Sequence, residues 1–259
     1  MLGAIAGDII GSVHEHTGTK TTEFTLFVPG SRFTDDTVLA VAVADCLLNG
    51  LEYVDTFHEY FLAYPNVGWG LRFFHWASAG NRDPYNSYGN GSAMRVAAVG
   101  HAFDSLDDVL VQATRSAEVT HNHPEGIRGA QATAAAVFMA RRGDAKNRIK
   151  DSLAHMFDYN LSDRLDELRP TYSFDVSCQG TVPAALIAFF ESCDYEDAVR
   201  KAISLGGDAD TLACIAGAVA EAHYGGVPSH IATPAIEALD DRLRNVVLQF
   251  CERYDIRAV

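Results

Sequence analysis

Two short acidic stretches carry the chemistry in this sequence. Gly206-Gly207-Asp208-Ala209-Asp210-Thr211 sets two carboxylates and a hydroxyl on flexible backbone, immediately before an uncharged run over residues 212–220. Far upstream, Phe33-Thr34-Asp35-Asp36-Thr37 likewise precedes an apolar run, residues 38–44. Asp208 and Asp210 flank a single residue, a spacing that converges only where the backbone is extended or turning, and Gly206-Gly207 supply that freedom. Asp35 and Asp36 are neighbours, so at a helix start their side chains diverge by about 100° and reach two ions more easily than they chelate one. Four carboxylates held together without cations repel and push their pKa values up, a conflict that a pair of divalent ions removes. Carboxylate, hydroxyl and carbonyl oxygens suit Mg²⁺, Mn²⁺ or Ca²⁺ rather than zinc. The D-x-D fragment is not an EF-hand, because the glycine at loop position six and the terminal glutamate are missing.

If the two motifs share one site, the 259 residues form one domain, a size that a single domain tolerates. With 20 Lys+Arg against 34 Asp+Glu, the net charge of -14 argues against a nucleic-acid or anionic-membrane surface, which needs excess basic residues. A phosphate-bearing substrate would have to be held by bound cations or helix N-termini. Cys46, Cys178, Cys193, Cys214 and Cys251 are odd in number and lack any C-x-x-C pair, so they read as buried free thiols. Asp8 interrupts the first apolar residues, which excludes a signal-peptide core, and no run approaches the roughly 20 apolar residues of a membrane span. The expectation is a soluble, cytoplasmic protein.

The elements that must position these groups read as helices. Gly3, Gly7 and Gly11 recur at i, i+4 and i+8, lining one helical face that permits close packing. Glu15 falls near the end of that helix, where a carboxylate opposes the macrodipole. Residues 17–33 read as a loop, and Thr34 or Asp35 as the N-cap of the next helix. Residues 53–64 form an amphipathic helix closed by Pro65, and the aromatic cluster from Trp69 to Trp76 reads as core rather than a ligand platform. The turn-rich segment 80–91 runs into Ser92, a helix cap by its type, while Gly89 and Gly91 allow close backbone approach, as an anion site before a helix requires. Helical patterns follow over 106–119 and 126–142, separated by His121-Asn122-His123, which lacks the further ligands of a zinc site. Residues 143–173 read as a charged, irregular and variable surface segment. Further helices are expected over 184–191, after Ser177 to Pro183, and over 195–205, 211–224 and 234–254. Strand alternation is absent, so the fold class is all-α.

At these residues the sequence resembles the ADP-ribosylglycohydrolase family, which includes dinitrogenase-reductase-activating glycohydrolases and the ADP-ribosylarginine and ADP-ribosylserine hydrolases. The likeness rests on G-A-I-A-G-D-I-I-G-S-V-H-E at the start, then F-T-D-D-T, G-N-G-S-A-M-R, T-H-N-H, S-C-Q-G-T-V-P and G-G-D-A-D-T-L-A-C-I-A-G-A, in that order. It implies a single-domain orthogonal multi-helix bundle with two Mg²⁺ (or Mn²⁺) ions in a central cleft, cleaving the bond between C1 of the distal ribose of ADP-ribose and its acceptor. By the same resemblance, Thr34, Asp35 and Asp36 bind metal from one side and Asp208, Asp210 and Thr211 from the other, with Asp36 and Asp210 central to turnover. Glu15 matches an acid/base or gating glutamate. Gly89, Asn90, Gly91 and Ser92 correspond to a pyrophosphate cradle, Tyr88 to the adenosine side, and Met94, His121, Ser177 and Gly180 to positions near the ligand. The implied partner is an ADP-ribosylated protein or small molecule; arginine is the first acceptor by analogy with bacterial relatives, with serine, a nucleobase or a small guanidine open. Two rival readings are a non-catalytic ADP-ribose binder and a dimetal phosphohydrolase acting on the pyrophosphate.

Overall fold

The first helix can lie against a buried partner only because its glycine face lets two backbones meet. In the computed structural model, which describes residues 1–257, α1 (Leu2–Gly11) runs along the last long buried helix of the chain. The helices in order are α1, α2 (Asp35–Asn49), α3 (Tyr53–Ala63), α4 (Leu71–Ser78), α5 (Gly91–Met94), α6 (Ala97–Ala102), α7 (Leu106–Glu118) and α8 (Pro124–Arg141). The second half continues with α9 (Lys146–Phe157), α10 (Leu165–Leu168), α11 (Cys178–Phe190), α12 (Tyr195–Ile203), α13 (Ala209–Tyr224), α14 (Ser229–Glu237) and α15 (Asp241–Arg253). No strand occurs among the described residues, only an isolated antiparallel bridge between Gly89 and Ser177. The chain is all-α, as expected.

α13 is the central element, packed against α1, α12, α11 and α8, and its residues from Ala209 to Glu221 are buried, which explains why 212–220 carries no charge. A Cβ on Gly7 would run into the carbonyl of Ala213, and one on Gly11 would lie 2.5 Å from Asp210 Cα. The i, i+4, i+8 glycines therefore do what their spacing predicts. The aromatic segment is core on one side: Phe73 and Trp76 are buried, and Trp69 stacks on Phe73 with centroids 4.9 Å apart, while Phe74 is exposed.

Several local expectations change. α1 stops at Gly11 and Glu15 lies in the turns that follow, so it is not part of the helix end. Segment 143–173 is not irregular: Ile149, Leu153 and Phe157 recur every four residues and bury one face of α9 among charges that hid the pattern. α11 begins at Cys178, ahead of Pro183, because Ser177 Oγ accepts from Gly180 N at 3.2 Å and caps it. The helix read over 234–254 is two, since Asp240 Oδ1 accepts from Leu243 N at 2.9 Å and starts α15. Ser92 lies inside α5 and caps nothing; its hydroxyl donates to Gly126 O at 2.7 Å. Among the thiols, Cys193 is exposed and the other four are buried.

Candidate active site

The N-termini of α2 and α13 meet, and the contact is direct: Thr211 Oγ1 donates to Asp36 Oδ2 at 2.9 Å, joining residues 175 positions apart. Thr34 caps α2, its hydroxyl accepting from Asp36 N at 3.2 Å. On the α13 side, one carboxylate oxygen each from Glu15, Asp208 and Asp210 lie within 4.8 Å of one another.

What holds the α2 motif is a residue that sequence reading used only to exclude a signal peptide. Asp8, fully buried on α1, accepts from Thr34 N (2.9 Å), Thr34 Oγ1 (2.7 Å), Thr37 N (3.1 Å) and Thr37 Oγ1. Its signal was visible: a lone charge in the apolar first helix, at a cost that only such bonding offsets. Burial pushes the Asp8 carboxyl up, and the Thr34 and Thr37 donors pull it back. Replacing Asp8 by Ala leaves two backbone N–H groups and two hydroxyls without their acceptor, at about 1–3 kcal/mol for each buried group left unsatisfied. We expect Asp8→Ala to lose at least about 4 kcal/mol in urea unfolding, the four groups at the lower figure, and to weaken divalent-ion binding in the same preparation; an unchanged midpoint would mean that Asp8 does not organise the α2 turn.

Electrostatics mark the cluster as unbalanced. Asp35, Asp36 and Asp210 are held well above the usual carboxylate range, first by burial and then by neighbouring carboxylates: Asp8 beside Asp35, Asp210 beside Asp36, and Asp208 beside Asp210. Asp208 is raised by burial, and Glu15 by burial and then Asp208. No lysine or arginine forms an ion pair with these five groups among the described residues. The donors are oxygens from Asp and Glu carboxylates and the Thr211 hydroxyl, a set that fits a hard divalent cation.

A cavity of about 400 Å³ opens above the cluster, walled by Glu15, Thr34, Asp35, Asp36, Asp208, Asp210 and Thr211, and on another side by Gly89, Asn90, Gly91, Met94 and His121. Asn90 plays a part that its type alone did not show: Nδ2 donates to Asp208 Oδ2 at 2.7 Å and to Thr181 Oγ1 at 3.1 Å, tying the glycine loop to the acidic one. His121 Nδ1 bonds Thr120 Oγ1 at 2.7 Å, and burial drives its pKa well down, so the ring is neutral. Its Nε2 faces the glycine loop, 3.2 Å from where a Cβ on Gly91 would stand. The remaining candidates lie outside the cavity wall. Tyr88 is about half exposed and packs edge-on to His123, Ser92 is buried beneath the loop, Ser177 caps α11, and Gly180 accepts at its carbonyl from Tyr172 Oη at 3.2 Å. The wall also includes Arg32, Arg72, Tyr85, Phe174 and Val176, which no local pattern singled out. Arg95 also lines the cavity, fully buried over the Phe57 ring, with Nη2 on Ser116 O (2.6 Å) and Thr120 Oγ1 (3.0 Å) and its pKa pushed down to about 10 by burial.

An all-helical chain that gathers carboxylates from two helix starts at the floor of one cavity matches a known class of hydrolase. The chain belongs to the ADP-ribosylglycohydrolase family, whose model matches residues 1–257. It is similar to human ADP-ribosylhydrolase ARH3, at 30% identity over 87% of this chain and 84% of that protein. The Pseudomonas putida ADP-ribosylarginine hydrolase Tri1 is 27% identical over 87% of this chain and 69% of its own length. A solved structure described as an ADP-ribosylglycohydrolase-related protein complex superposes with a TM-score of 0.67 and 25% identity, covering 97% of this chain and 96% of that one. Among the described residues no helix is long and apolar enough to cross a membrane.

Proposed function

We propose that this protein is a divalent-metal-dependent hydrolase that cleaves the bond between C1 of the distal ribose of ADP-ribose and an acceptor, releasing free ADP-ribose, with an arginine side chain the first acceptor to test. One observation carries the reading: Thr211 joins Asp36 at the foot of a cavity where Glu15, Asp208 and Asp210 also converge. Thr34, Asp35 and Asp36 would hold the metal pair from the α2 side, and Asp208, Asp210 and Thr211 from the α13 side. Bound Mg²⁺ or Mn²⁺ would supply orientation of the ribose hydroxyls and activation of water.

The chain's own groups supply the rest. Asn90 keeps Asp208 turned toward the cluster, and Asp8 keeps the α2 turn closed. Gly89 and Gly91 line the cavity closely against His121, where a Cβ on Gly91 would already stand 3.2 Å from Nε2, so it is the main chain of this loop that would meet a pyrophosphate in the cavity. Glu15, half-buried on the cavity wall beside Asp208 and Asp210, is placed to handle the proton that the departing acceptor needs. We expect Glu15→Gln to lower kcat by about 10²–10⁴-fold while ADP-ribose binding changes little, since general acid–base groups contribute on that scale. Calorimetry with ADP-ribose beside turnover measurements checks this, and an unaffected kcat would remove Glu15 from the chemistry.

The decisive assay offers ADP-ribosylated arginine, serine and small guanidines with Mg²⁺, with Mn²⁺ and with chelator, and identifies the product by mass. Free ADP-ribose supports the reading. AMP would point to attack on the pyrophosphate, and binding without any product to a non-catalytic binder.

A further inference from the structure

Glu15 sits in a loop that like charge should drive away. Its carboxylate oxygen lies within 4.8 Å of those of Asp208 and Asp210, and among the described residues the one basic nitrogen within 4 Å is Nε2 of the exposed His16, at 3.6 Å. Without bound cations, repulsion between such neighbours favours an outward swing of the loop unless something holds it. Five residues further on, Lys20 Nζ donates to Tyr172 O at 2.6 Å and to Leu205 O. Leu205 follows α12 and directly precedes Gly206-Gly207-Asp208, while Tyr172 follows α10. Leu205 O lies just past the C-terminal cap of α12, where the negative end of the helix favours a cation, while Tyr172 O is a loop carbonyl beyond α10.

Backbone packing makes the joint tight. A Cβ on Gly206, whose φ is +67°, would lie 2.8 Å from Thr19 O, so the Glu15 loop and the Asp208 loop touch through main chain at the point where Lys20 joins them. His14 Nδ1 bonds Thr19 Oγ1 at 2.9 Å, carrying the constraint back to the residue beside Glu15. Arg200, on α12, holds the far part of the same loop, with Nη1 on Thr22 O (2.9 Å) and Phe24 O (2.7 Å), while Lys20 makes the contact next to Gly206.

We propose that Lys20 is a positioning residue: its ammonium clamps the loop bearing Glu15 to the loop bearing Asp208, and so sets where the Glu15 carboxylate stands over the cavity. The proposal rests on the hydrolase reading above, in which Glu15 manages the proton at the scissile bond. Lys20 touches neither substrate nor metal in that scheme. Its loss therefore costs placement, not binding, and misplacement of a reacting group by about 1 Å can cost on the order of 10²-fold.

The test compares wild type, Lys20→Met and Lys20→Arg as full chains, by amide hydrogen exchange and by kcat and KM. Lys20→Met is expected to speed exchange over residues 14–24 by about 10-fold or more while α13 exchange is unchanged. Its kcat is expected to fall about 10–100-fold with KM within about 3-fold, and Lys20→Arg, which can donate to both carbonyls, should restore most of both. Unchanged exchange over 14–24 in Lys20→Met overturns the clamp, whatever the enzyme's activity. Faster exchange with an unaltered kcat overturns the positioning role, as does a loss that Lys20→Arg leaves unrescued. An inactive wild-type chain instead overturns the hydrolase reading, and the exchange arm still decides whether Lys20 holds the loop.

Discussion

Asp210→Asn should abolish divalent-ion binding and turnover together, and should at the same time make the metal-free protein more resistant to neutral pH. The first half follows from the oxygen set: Asp210 is buried at the start of α13 beside Asp208 and Glu15, and an amide oxygen is a weaker ligand that leaves the cation's charge unbalanced. Loss of metal charge worth several kcal/mol predicts a fall in kcat/KM of about 10³-fold or more, read by titration calorimetry and by release of ADP-ribose. Full activity of the variant after chelation would end the metal-dependent account.

The second half follows from the buried carboxyls. Asp35, Asp36 and Asp210 have folded pKa values well above the ordinary carboxylate value, through burial first and mutual repulsion next. Groups raised in this way bind protons more tightly in the folded state. Their contribution to stability is complete below the unfolded value, about 4, and is lost as pH rises through the folded values. Chelator-treated wild type should therefore show a Tm that declines from about pH 4 into the neutral range. Added Mg²⁺ or Mn²⁺ should reverse the decline by mass action, about 2.7 kcal/mol at 100 times Kd. Asp210→Asn has one fewer charge to bury, so its decline is shallower and added ion does not restore it. A flat Tm for metal-free wild type over that window would contradict the shifted carboxyls.

Gly7→Ala should be among the most damaging single-methyl changes in the molecule. The new Cβ would overlap the Ala213 carbonyl and lie 2.9 Å from Cys214 N, both main-chain atoms of a buried helix that no rotamer change can clear. α1 must then move away from α13, at about 3–5 kcal/mol, the upper end of overpacking effects. For a chain of this size the Tm falls by roughly 6–20 °C. Because Asp8 follows Gly7, displacing α1 also pulls the acceptor away from Thr34 and Thr37, so metal affinity should fall with stability. Gly70→Ala is the comparison: a Cβ there meets nothing within 4 Å, and its Tm should stay close to wild type. Equal melting of the two variants would show that the α1–α13 approach is looser than the geometry requires.

Local patterns made much of this legible. The run after Asp210 is uncharged because α13 is buried on all sides, and the Gly3, Gly7, Gly11 spacing marked a close helix contact before any partner could be named. Thr34 was readable as a cap because Thr followed by two acids suits the first turn of a helix. Where reading failed, a local signal competed with another. Charged residues masked the i, i+4, i+8 face of α9, Pro183 drew the start of α11 too late, and Asp240 cut one expected helix into two.

By itself, then, the sequence determined the helical class, the oxygen-rich character of the two acidic motifs and the glycine face that brings α1 down on α13, because each is a matter of residue type and short-range period. Only the tertiary structure decided that Asp8 braces Thr34 and Thr37, that Asn90 turns Asp208, that Thr211 reaches Asp36, and that Lys20 spans from the Glu15 loop to Leu205. Those pairs lie from 26 to 185 positions apart. Their meeting depends on how closely helices can approach and on which buried donors still need an acceptor, quantities that no periodicity along the chain contains.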